Sequence, residues 1–126
     1  MKEKNEISKE DQVEKQEEIK KVKKKSEIEI KNEIIIITLG DPISFNDQKI
    51  EKLELDFNSL TGVDICDAES DALGRFYTPL PDTNYSTAYQ AAIAAKASGI
   101  PFEAILELKS KDFKTVTECT KGFLLG

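Results

Sequence analysis

Ile34-Ile35-Ile36-Ile37-Thr38-Leu39, answered further on by Leu53-Glu54-Leu55-Asp56-Phe57, decides how this chain is read. The first stretch is short and rich in β-branched residues, which favours strand over helix. Upstream, Ile28 and Ile30 alternate with Glu27, Glu29 and Lys31 and extend the strand signal back to Ser26. The second stretch alternates apolar and acidic residues, the pattern of a half-buried strand. Between them, Gly40-Asp41-Pro42 is a break, and Pro42 marks a bend or an edge because it has no amide to give a ladder. Ile43 and Phe45 add a short extension, and Asn46-Asp47 suits a hairpin turn. The expectation is an antiparallel hairpin over 27–57 with one apolar face.

Beyond residue 60 the period becomes helical. Thr61 suits an N-cap with Asp64 three positions on, in a capping-box arrangement, and Leu60 is placed to staple Ile65. Ile65, Ala68, Ala72 and Leu73 share one face, and Gly74 suits the position after the helix. Residues 75–84 contain Pro79 and Pro81 and read as a loop. A second helix begins near Asn84 or Ser86, carries Tyr89, Ala92, Ile93 and Ala97, and ends at Gly99. Its alanines make it a strong helix former. Pro101 opens a short third helix with Phe102, Ile105 and Leu106. Ser110 is placed to cap a fourth, with Phe113, Val116, Phe123 and Leu124 as its apolar positions. The fold class expected is α+β: a hairpin followed by about four helices, in one domain over 27–126.

Residues 1–26 read as a charged tail, disordered with transient helix, the alternative being a lone charged helix. Residues 1–33 hold ten lysines and ten acids, so the −6 charge of the 126-residue chain resides in the remaining 93 residues. Those 93 residues suffice for a modest core, burying roughly 60–65% of the unfolded surface.

Composition narrows the function classes. The chain has no histidine, which removes Ser-His-Asp and Cys-His catalysis and imidazole zinc sites. The longest apolar runs fall far short of the roughly 18–20 residues of a membrane helix. The Lys/Glu-rich start lacks the apolar core of a secretory signal, so a cytoplasmic protein is expected. Cys66 and Cys119 form no CxxC pair and are expected to be reduced, inert thiols. An acidic folded part without a basic recognition helix argues against nucleic-acid binding.

Asp64, Asp67 and Asp71 share a helix face and resemble a hard-cation site only in residue type, so they read as a solvated face. The run of Lys20, Lys21, Lys23, Lys24 and Lys25 is screened by neighbouring glutamates and reads as a solubilising tail; the alternative is an electrostatic handle for a partner. Arg75, Phe76 and Tyr77 fit a recognition cluster or a segment folding back on the core equally well. The alanine-rich helix fits tight internal packing, with a self-assembly surface as the alternative. Phe123-Leu124-Leu125 either tuck in or are offered to a partner. No catalytic residue, cofactor site or metal site is assigned.

Tyr89-Gln90-Ala91-Ala92-Ile93-Ala94-Ala95-Lys96-Ala97, with Gly99 and Pro101, form a distinctive block. Upstream lie Ile37-Thr38-Leu39 with Pro42-Ile43, then Leu53 to Phe57 and Leu60-Thr61-Gly62-Val63-Asp64. Lys111-Asp112-Phe113 and Phe123-Leu124-Leu125-Gly126 follow. In this order and spacing, residues 34–126 resemble the tail assembly chaperones of long-tailed bacteriophages and prophages. The charged residues 1–33 depart from the usual short N-terminus of that family.

The resemblance implies a non-enzymatic protein that coats the tape measure protein, keeps it soluble and helps recruit major tail tube subunits. It implies work in the host bacterial cytoplasm, absence from the mature virion, and a short form beside a frameshifted longer one. Weak homo-oligomerisation suits such coating, because linked weak sites gain avidity. Phe113, Val116, Phe123, Leu124 and Leu125 are the candidate client or self-contact face, and Tyr89 and Ile93 are further partner-binding candidates. The competing expectation is a small structural tail or head–tail connector protein of the virion.

Overall fold

The computed structural model describes residues 25–76 and 83–126. Lys20, Lys21, Lys23 and Lys24, nearly all of the tail expected over 1–26, Tyr77, Pro79 and Pro81 lie outside the described residues. Strands β1 (Glu27–Lys31), β2 (Ile34–Phe45) and β3 (Gln48–Leu55) form a three-stranded antiparallel sheet in sequence order. Helices α1 (Gly62–Phe76), α2 (Thr87–Ser98), α3 (Phe102–Leu106) and α4 (Ser110–Leu125) follow, with single 3-10 turns at Phe57–Ser59 and Thr83–Tyr85. This is the α+β order expected from the sequence, an antiparallel β unit and then helices, with one strand more than a simple hairpin.

The extra strand comes from Asn32 and Glu33. Both have positive φ, 53° and 67°, and they fold the apolar stretch back on itself as a two-residue turn. Glutamate is a poor occupant of that region, so the reading runs straight through it. Asn46 and Asp47, with φ 51° and 63°, make the second turn where it was expected.

Register puts the apolar residues on one side. Ile28 lies opposite Ile37 and Ile30 opposite Ile35. Ile37 in turn faces Leu53, and Ile35 faces Leu55. Directly opposed residues project to the same face, and Ile37, Leu53 and Leu55 are fully buried there. Between Thr38 and Ile43 the β2–β3 register shifts. Pro42 thus sits in the central strand of the sheet, but at an irregularity where a missing amide costs no ladder bond.

α2 is the hub of the helical layer. Ala88 through Ala95 and Ala97 are buried, as expected of a helix apolar around most of its circumference. Its alanines therefore serve tight internal packing. Ser86 caps it by accepting the Tyr89 amide at 3.3 Å. Gly99 ends it with φ +69°, and the Ile100 amide returns to the Ala95 carbonyl at 3.1 Å. The Asp56 amide donates to the Ala97 carbonyl at 3.1 Å and ties the end of the sheet to this helix.

α1 opens with the expected capping box. The Thr61 amide donates to Asp64 Oδ2 at 2.9 Å, and the Asp64 amide donates back to Thr61 Oγ1 at 3.3 Å. The helix does not stop before Gly74 but continues to Phe76, since glycine lowers helix stability without forbidding it. Leu73, expected on the buried face, is exposed. In α4, Ser110 is the first helical residue and Lys109 the cap, without a side-chain capping bond.

Candidate partner-binding surface

The last helix is held firmly at its start and presents apolar groups at its end. Near the start, Asp112 is 1% exposed. Its Oδ1 accepts the Gly40 amide and its Oδ2 the Asp41 amide, each at 3.0 Å. The shift in β2 register leaves these two consecutive amides outside the ladder, and the carboxylate satisfies both. Ser26 Oγ donates to Thr115 Oγ1 at 2.7 Å, a second tie between the sheet and α4. Midway, Val116 and Thr120 are fully buried, and Thr120 Oγ1 donates to the Val116 carbonyl at 2.9 Å.

The final turn is different. Phe123 remains 39% exposed and Leu125 45% exposed, while Leu124 is partly buried against the core. Phe123 stacks on Phe57 with ring centroids 4.6 Å apart and an interplanar angle of 8°. Lys121 places its Nζ 5.4 Å from the centre of the exposed Tyr85 ring. Offset aromatic stacking and a cation over a ring both hold side chains in place while leaving surface free.

The partner-binding candidates therefore separate. Phe123 and Leu125 are at the surface, and Phe113 and Leu124 are partly buried. Val116, Tyr89 and Ile93 are buried in the core of the described chain. Within α4, apolar spacing is the same whether a helix face meets the core or a client, which is why periodicity grouped Val116 with Phe123.

The remaining candidates have ordinary settings. Asp64 works in the α1 cap, and Asp71 pairs with Lys96 at 3.9 Å. Among the described residues, no group of three or more Cys, Asp or Glu side chains is placed to hold a metal ion. Cys66 is an exposed free thiol and Cys119 a half-buried one. Burial, and then Glu118, pushes the Cys119 thiol up, so it stays protonated and weakly nucleophilic. Tyr89 is likewise raised by burial, with Glu69 and Cys66 adding to it. An open groove of about 320 Å³ runs beside Lys96, Ile100, Pro101 and Phe102. No helix among the described residues is long and apolar enough to cross a membrane.

Sequence reasoning missed Asp112. Its role depends on a strand irregularity 72 residues away, and an Asp in the first turn of a helix has a sufficient local explanation in the helix dipole.

Residues 36–125, from β2 to the end of α4, match the family described as "Phage tail assembly chaperone proteins, E, or 41 or 14". No curated protein and no solved structure gives a match.

Proposed function

The chain belongs to the phage tail assembly chaperone family, and from that premise we propose that it binds the tape measure protein and keeps this apolar client soluble. It helps recruit major tail tube subunits, catalyses nothing, acts in the host cytoplasm and is left out of the mature virion. The observation that supports this reading is the end of α4: Phe123 and Leu125 stay exposed on a helix anchored at its other end through Asp112. A client helix is recognised by aliphatic and aromatic anchors of this kind. Each such contact is weak, and many copies along one long client make the coat hold. The net charge of −6 favours solubility of the coated assembly.

The test is co-expression with the long tape measure protein, followed by affinity pull-down and light scattering. Wild type should keep the client soluble and co-purify in many copies. A Phe123→Ser, Leu125→Ser double variant should fold and fail to do so. A client that stays insoluble, together with this protein in purified particles, would instead identify a structural tail or connector component.

A further inference from the structure

β1 is the edge of the sheet, and its outer side pairs with no strand among the described residues. All five of its residues are exposed. Ile28 and Ile30, at 54% and 70%, are among the most exposed large apolar side chains of the described chain. They lie opposite Ile37 and Ile35, so the apolar face of the sheet runs out to its edge uncovered. The two-residue turn at Asn32 and Glu33 makes Lys31 and Ile34 a hydrogen-bonded pair. Pairs alternate in an antiparallel ladder, so the amides and carbonyls of Ile28 and Ile30 point outward, away from β2.

We infer that this edge pairs with the β1 edge of a second copy, antiparallel about a two-fold axis, to make one continuous sheet across two protomers. The occupant follows from the sequence of the strand, Glu27-Ile28-Glu29-Ile30-Lys31, which complements itself when reversed. With Glu29 on the axis, Glu27 faces the partner's Lys31 and Lys31 faces the partner's Glu27. Ile28 faces the partner's Ile30, and the reverse, as the two hydrogen-bonded pairs. Charge opposes charge at the ends and apolar side chains meet between them, the pairs that favour a sheet. Glu29 facing its own copy is the one unfavourable pair. A parallel, in-register arrangement would set glutamate against glutamate twice and lysine against lysine. The self-complementary pattern is that of an isologous contact, and the strand-on-edge pairing supplies main-chain hydrogen bonds. The inference does not rest on the client reading above, and its failure would leave that reading standing.

The experiment is sedimentation velocity on the full chain over a wide concentration range. Wild type should show a concentration-dependent dimer. Glu29→Gln, which removes the repulsive pair, should tighten it about two- to fivefold. Ile30→Lys should weaken it by about tenfold or more. Lys31→Glu should weaken it, and adding Glu27→Lys to the same chain should restore it. A monomer at every concentration overturns the inference. So does a dimer that ignores Glu29→Gln and shows no rescue in the charge-swapped pair.

Discussion

Asp112 accepts the amide of Gly40 across the interface between α4 and β2, at 3.0 Å and nearly out of contact with water. Its second oxygen takes the neighbouring Asp41 amide at the same distance. One carboxylate thus satisfies the backbone where β2 leaves its register, and it fixes where the last helix begins.

Replacing Asp112 with Ala takes the acceptor from both amides, one on half-buried Gly40 and one on exposed Asp41. The expected loss is about 1–3 kcal/mol of stability, with Asp112→Asn losing roughly half as much because its amide offers one acceptor oxygen. Urea denaturation measures both. A loss below about 0.5 kcal/mol for the alanine variant would mean that water replaces the carboxylate at no net cost.

Glu33 occupies left-handed backbone at φ 67°. Glutamate there is strained relative to glycine, and Asn-Gly is the favoured pair for this turn. Glu33→Gly should stabilise the protein by about 0.5–1 kcal/mol, although it removes the exposed bond from Asn58 Nδ2 to Glu33 Oε2. A lower midpoint in thermal or urea unfolding would show that the side-chain bond outweighs the strain.

Val116 and Leu125 lie on one helix and should behave oppositely. Val116→Ala removes fully buried carbon and is expected to cost about 2 kcal/mol while leaving client solubilisation intact in the folded fraction. Leu125→Ser should change stability by less than about 0.5 kcal/mol yet impair solubilisation. Stability curves and co-expression assays on the same two variants decide the matter, and Leu125→Ser retaining full client solubilisation would remove Leu125 from the surface.

The Cys119 thiol is raised in the folded state, first by burial and then by Glu118. Its contribution to stability is complete below the thiol pKa of the unfolded chain, and it is lost as pH climbs from about 8.5 through the higher folded value. Cys119→Ala should flatten that part of the alkaline decline in urea midpoint. Under native conditions a thiol reagent should modify exposed Cys66 well before half-buried Cys119, and equal rates would mean that packing does not shield Cys119.

Much of the fold was legible because its signals are local. Thr61 with Asp64, Ser86 before α2, and Gly99 after it each declare a helix end through bonds made within a few residues. Asn46-Asp47 declared a turn in the same way. Asn32-Glu33 did not, because nothing local distinguishes a glutamate in a turn from one on the polar face of a strand. The surface was only half legible. Phe123 and Val116 carry the same periodic signal, yet one is offered to solvent and the other is sealed.

The amino-acid sequence alone determined the class of the fold, the order of its helices and the helix ends at Thr61, Ser86 and Gly99, since alternation, helical period and capping act over a few residues; it did not place the end of α1, the cap of α4 or the turn that makes β1. Tertiary structure decided which apolar faces are covered. Phe123 stacks on Phe57, Asp112 meets Gly40, and Ile28 and Ile30 extend the core face beyond the reach of the helices. Burial is a property of what packs across from a residue, and partners distant in the chain leave no mark on the residues beside it.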